Sequence, residues 1–152
     1  MRIVIIVVAI FFIIVSCDSD FPFEHAGLEW STKTKWMSWQ DASEYCDEKG
    51  GRLPTISELR TLIRDCLSTK TGGGCGVTDD CLSSEECCSS SCFGCEFNVS
   101  DQGKYNVFGA GGESWSSSSD SDNLNFAWLI YFDSANIVSE NKERPLYFYC
   151  VR

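Results

Sequence analysis

The chain opens with thirteen apolar residues in a row, Ile3 to Val15, and then changes character. From residue 27 onward the apolar positions are spaced. Gly27-Leu28-Glu29-Trp30 alternates apolar and polar, which predicts a first strand. Ser38-Trp39-Gln40-Asp41 reads as a helix start with Ser38 as N-cap, and Trp39, Ala42 and Cys46 then share one face. Gly50-Gly51 stops that helix. Thr55-Ile56-Ser57-Glu58, just after Pro54, is a capping box, and Ile56, Leu59, Leu62, Ile63 and Cys66 form the apolar stripe of a second helix. Residues from about 71 to 97 have no period. Phe97 to Gly112 is read as loop. Short runs rich in aromatic and β-branched residues follow at Glu113–Ser117, Phe126–Phe132, Asn136–Ser139 and Leu146–Val151. Asp133-Ser134-Ala135 joins the middle two as a hairpin turn. Two early helices and a late set of strands predict an α+β fold, two helices against short antiparallel sheets.

The opening run has its own meaning. As a helix it would rise about 20 Å, short of the roughly 30 Å hydrocarbon core. With Arg2 before it, it reads as a secretory signal. It ends in Ile14-Val15-Ser16-Cys17, which resembles a bacterial lipobox. That resemblance implies cleavage before Cys17 and acylation of its sulfur. The predicted organisation is a lipoprotein signal peptide at 1–16, a lipidated Cys17 with a polar tether to 26, and one domain from 27 to 152. The protein would be anchored to a membrane of the bacterial cell envelope without spanning it.

The net charge of −10 bears on partners. It opposes nucleic acid, whose binding needs Lys and Arg on phosphates, and it argues against anionic lipid surfaces and sulfated sugars as partners. Ten cysteines in an exported chain read as a disulfide framework. Only Cys92 and Cys95 have the knuckle spacing of a zinc site. If Cys17 carries lipid, nine remain: Cys46, Cys66, Cys75, Cys81, Cys87, Cys88, Cys92, Cys95 and Cys150. Nine cannot all pair within one chain. One is free or bridges to a second chain, which allows a disulfide-linked dimer. The connectivity between 66 and 95 is open. The cluster's role is read as structural, because a Gly/Ser-rich insertion buries too little apolar surface to order itself.

Gly27-Leu28-Glu29-Trp30, Ala42-x-x-Tyr45-Cys46, Arg52-Leu53-Pro54-Thr55-x-x-Glu58-Leu59, Trp115-Ser116-Ser117-Ser118, Ala127-Trp128 and Cys150-Val151-Arg152 occur in this order. Together they resemble the Lcl C-terminal domain family of bacterial envelope domains. The resemblance implies a C-type-lectin-like fold, in which N- and C-terminal strands pair and a cysteine on the first helix bonds to one on the last strand. Here these would be Cys46 and Cys150. It also implies that Trp115 and Trp128 pack the core. No collagen-like repeat precedes the domain, and the Glu-Pro-Asn and Trp-Asn-Asp calcium motifs of sugar-binding C-type lectins are missing. Fold therefore transfers better than ligand.

Candidate chemistry is sparse. The chain has one histidine, His25, read as a solvated residue near the tether. No Ser-His-Asp or Cys-His arrangement is suggested, and a formylglycine-generating-like oxidase is a minor alternative. Asp120, Asp122, Asn123 and Asn125 offer oxygens in one loop, a candidate ligand or calcium site, although calcium wants six to eight oxygens. No other cofactor is expected. The leading expectation is a non-catalytic binding module for a glycan or protein. The alternative is a structural envelope protein whose cysteine-rich loop contacts another subunit.

Overall fold

A computed structural model describes residues 20–97 and 102–152. The signal segment, Cys17 and the Asn98-Val99-Ser100 match to a glycosylation acceptor lie outside the described residues. The fold is α+β: two helices, a two-stranded sheet and a three-stranded sheet.

Both helices start where side-chain capping starts them. In α1 (Trp39–Glu48) the Ser38 hydroxyl accepts the Asp41 N–H at 3.3 Å, and Ala42 and Cys46 turn inward. In α2 (Ile56–Thr61) the Thr55 hydroxyl accepts the Glu58 N–H, and the Glu58 carboxylate accepts the Thr55 N–H at 2.8 Å. The apolar stripe predicts a longer α2 than forms. Its helix ends after Thr61, Ile63 bridges to Asn106, and Asp65 takes a positive φ of 57°. Leu62, Ile63 and Cys66 are buried all the same.

Strand β1 (Phe23–His25) pairs antiparallel with β2 (Leu28–Trp30) through a tight turn at Ala26-Gly27. This corrects the tether expected through residue 26: Phe21 is already buried. Strands β3 (Glu113–Ser119), β4 (Phe126–Tyr131) and β5 (Asn136–Asn141) form an antiparallel meander in that order. The central β4 is Phe-Ala-Trp-Leu-Ile-Tyr, apolar throughout because both faces are covered. Trp128 and Ile130 face a core with Trp30, Ile56, Leu59 and Tyr149. Ala127 and Leu129 face a second core with Ala42, Leu53, Trp115 and Phe148.

Leu146–Val151 is not a regular strand. It makes isolated bridges from Leu146 to Met37, from Phe148 to Trp115 and from Val151 to Trp30 and Arg52. Ser31 N–H donates to Cys150 O at 2.9 Å and Thr34 N–H to Phe148 O at 2.9 Å, so residues 29–37 run beside the C-terminal segment.

Among the described residues four disulfides join Cys46 to Cys150, Cys66 to Cys95, Cys75 to Cys92 and Cys81 to Cys87. The rings lie one inside another, with no crossing. Among the described residues Cys88 is the free cysteine. The insertion does more than staple itself. Cys75, Val77, Cys87 and Cys92 are buried in the first core, against the expectation that this segment buries little.

Candidate functional site

Arg60, on α2, organises the insertion from below. It is 2% exposed. Its guanidinium donates to Thr69 O at 2.9 Å, Val77 O at 2.6 Å and Lys70 O at 3.0 Å. One planar fork thus ties three carbonyls of an irregular loop. Burial lowers its pKa from the ordinary value. Arg60 was not among the residues singled out in the sequence. Its only signal there is a charge beside the apolar positions Ile56, Leu59 and Ile63.

From above, the loop at 120–125 ties the insertion to the meander. Asp120 is buried, and its carboxylate accepts the Ser139 hydroxyl at 2.7 Å, the Asp122 N–H at 3.0 Å and the Ser84 N–H at 3.4 Å. Asp122 accepts the Ser83 hydroxyl at 2.8 Å, the Glu85 N–H at 2.9 Å and the Ser84 hydroxyl at 3.1 Å. Those donors, the Glu85 amide foremost, hold the Asp122 carboxyl below its ordinary pKa. Leu82 O accepts both the Ser121 N–H and the Trp128 indole, each at 3.0 Å.

These contacts revise the calcium reading of Asp120, Asp122, Asn123 and Asn125. The Asp122 carboxylate is spent on donors of the insertion and the Asp120 carboxylate on donors from β5, its own loop and the insertion, and the Asn123 side-chain oxygen accepts the Asn125 N–H at 3.2 Å. Among the described residues no group of three or more His, Cys, Asp or Glu is placed to hold a metal ion. The loop's chemistry is that of a clasp.

Between clasp, insertion and β5 lies an open groove of about 360 Å³. Ser84, Cys88 and Phe93 form its insertion side, and Asp120, Asn123, Phe126 and Ser139 its meander side, with Trp128 and Ile137 in the floor. Phe93 ends the short 3-10 helix Ser90–Phe93 and is 67% exposed. The Gly94 that follows has a φ of +75° and lies against the β4–β5 turn, where Cys95 N–H donates to Ser134 O at 2.6 Å. That turn fixes where Phe93 stands. Cys88 is half-buried in the groove wall. Burial, then the charge of Asp120, pushes its thiol pKa up, so little thiolate is present at neutral pH.

Other sequence-marked residues are placed elsewhere. His25 is partly buried, with Nε2 2.8 Å from Thr61 O, so it braces β1 against α2 and is not the solvated residue expected. Trp115 and Trp128 are fully buried. Ser114, Ser116 and Ser118 of β3 are buried. Ser116 donates its hydroxyl to Trp128 O at 2.6 Å, and Ser118 accepts the Ile56 N–H at 2.9 Å, satisfying a donor at the start of α2.

The fold and the clasped insertion define a small, disulfide-crosslinked α+β domain with a groove beside its cysteine-rich loop. Residues 24–152 match the family model of the Lcl C-terminal domain, and the chain belongs to that family. Comparison with curated proteins finds no match. Among the described residues no helix is long and apolar enough to cross a membrane.

Proposed function

We propose that this protein is a lipid-anchored module of the bacterial cell envelope, C-type-lectin-like in fold, that binds a glycan or protein ligand without catalysis. The paired N- and C-terminal segments, and the disulfide from α1 to the C-terminal segment, support the lectin-like assignment. The observation that carries the binding reading is the groove: an exposed Phe93 faces polar side chains across a space at the small end of ligand pockets, which run from about 300 Å³. An aromatic face flanked by hydrogen-bonding groups suits a sugar ring. Because Asp120 and Asp122 are engaged by the insertion, binding at this groove needs no calcium. The lone histidine is occupied by the Thr61 carbonyl, which favours a binding role over an enzymatic one.

The test is a glycan array probed with the full chain, with and without calcium, beside the Phe93→Ala variant. The expected result is a calcium-independent signal that the variant loses. A signal kept by Phe93→Ala, or one that needs calcium, overturns the assignment to this groove. Cys88 favours a second reading, a structural subunit tied to another chain. Non-reducing electrophoresis of membranes decides it: a covalent dimer or mixed disulfide lost in Cys88→Ser supports that reading.

A further inference from the structure

The chain has five tryptophans, and they are not equivalent. Trp30, Trp115 and Trp128 are fully buried. Trp39 is half-buried, with its indole N–H donating to Ser116 O at 2.7 Å. Trp36 alone is 59% exposed. It is nevertheless rigidly mounted. Its backbone neighbours are paired to the C-terminal segment, Thr34 N–H with Phe148 O and Met37 with Leu146 in both directions at 2.9–3.0 Å. Its ring packs edge-to-face on Tyr147 at 5.5 Å. That support is itself held: the Lys33 ammonium sits 3.9 Å from the Tyr147 ring centroid and donates to Gly111 O.

The local charge is unlike that of the chain. Ser31 to Gln40 holds two lysines and no acid. Lys35, beside Trp36, is exposed and makes no ion pair among the described residues. Lys33 is drawn inward, and burial lowers its pKa from the ordinary value against the opposing pull of Glu113 and Asp133.

The position of this corner matters most. Asp20, the first described residue, lines a small cavity of about 140 Å³ together with Thr32 and Thr34. Asp20 thus sits against the segment that carries Trp36. Cys17 is three residues before Asp20, a reach of about 10 Å at most. Trp36 is two residues beyond Thr34, about 7 Å along an extended chain. An acyl chain on Cys17 would hold Trp36 within roughly 20–25 Å of the bilayer surface. This cavity shares no lining residue with the Phe93 groove.

We infer that Trp36, braced by Tyr147 and flanked by Lys35, is the bilayer-docking corner of the domain: its indole enters the headgroup region of the membrane that holds the anchor. Amphipathic aromatic rings favour that layer. The acidic chain as a whole is not drawn to a membrane, so the ring carries the contact and Lys35 relieves local repulsion. Tethering makes a weak contact sufficient, because docking becomes intramolecular. The inference rests on the lipid-anchor part of the proposed function and is independent of the groove.

The experiment uses the full acylated chain in phosphatidylcholine vesicles, with bromines placed shallow or deep on the acyl chains. Intact mass and flotation are measured on the same samples. Shallow bromines are expected to quench the tryptophan emission more than deep ones. Trp36→Phe, still floating, is expected to lose that quenching. A floating, acylated protein whose emission ignores bromine overturns the docking and leaves the anchor standing. Quenching that survives in Trp36→Phe also overturns it. A protein without acyl mass that does not float overturns both. An emission change on concentration in vesicle-free detergent, or on adding soluble glycans, that is lost in Trp36→Phe assigns Trp36 to a second copy or to sugar instead, and so overturns it.

Discussion

Replacing Arg60 with alanine tests whether one side chain holds the cysteine-rich insertion in place. Of the three carbonyls it serves, Lys70 O also accepts the Gly73 N–H at 2.8 Å and keeps a partner. Among the described residues Thr69 O and Val77 O have no second backbone donor. Each orphaned buried acceptor costs about 1–3 kcal/mol. Relief from burying an unpaired cation offsets part of that loss. A net loss of about 3 kcal/mol is expected. Arg60→Lys should lose less than alanine, since its ammonium can still serve one of the carbonyls, yet more than nothing, since it cannot reproduce the planar fork. Urea unfolding without reductant measures the change, so that the crosslinks are constant. Native-state hydrogen exchange locates it: amides of residues 69–77 should exchange faster in Arg60→Ala, while those of β4 change only with global stability. An Arg60→Ala protein within about 0.5 kcal/mol of the parent, with protection across 69–77 unaltered, would refute the reasoning.

Three further outcomes are expected. Gly94→Ala would place a Cβ 2.2 Å from Ser134 O at a backbone φ of +75°, so a loss of at least about 1–3 kcal/mol and faster proteolysis within the insertion should follow. Removing the Cys46–Cys150 crosslink, which spans 104 residues, with the double change to alanine should lower stability by about 2–4 kcal/mol, below the chain-entropy ceiling of ~4.7, as read from urea midpoints. Burial pushes the Tyr149 phenol up to about 12 despite the Asn106 amide at its oxygen, so the fold favours the neutral form. Its contribution is complete below pH ~10 and is lost between pH ~10 and ~12, roughly 2–3 kcal/mol; unfolding curves of Tyr149→Phe should lose less across that window.

Local chemistry was the readable part of this chain. Ser38 and the Thr55–Glu58 pair announce the helix starts because capping acts over three residues. Phe126–Phe132 is apolar enough to be found whatever covers it. What resisted reading depends on distant partners. The stripe through Cys66 overstates α2, because Leu62 and Ile63 are held in the core by pairing with residues 106 and 107, not by helix. Phe21 and Phe23 look like tether until β2 gives β1 its partner. Asp120 and Asp122 look like cation ligands, since their spacing is visible and their serine donors are not: Ser83 and Ser84 lie 39 and 38 positions before Asp122, and Ser139 lies 19 after Asp120. The groove is assembled from the insertion and the meander, and no short motif encodes it. Cys87 and Cys88 are equal in sequence; burial of Cys87 beside Val77 and the place of Cys88 on the groove wall tell them apart.

The concentric arrangement of the disulfides sets a timetable. The Cys81–Cys87 ring closes over six residues, the next over 17, the next over 29, and the outermost over 104. Each inner closure shortens the free path that the next must search, and the cost of closing a loop grows with its length. Oxidation can run from the inside outward, without threading the chain through a ring already made. The innermost pairs are available once Cys95 has emerged. The outermost must wait for Cys150, which also brings the segment that joins the two halves of the core. Until then the chain remains open across its longest ring, and the small rings can be complete before the last bond closes.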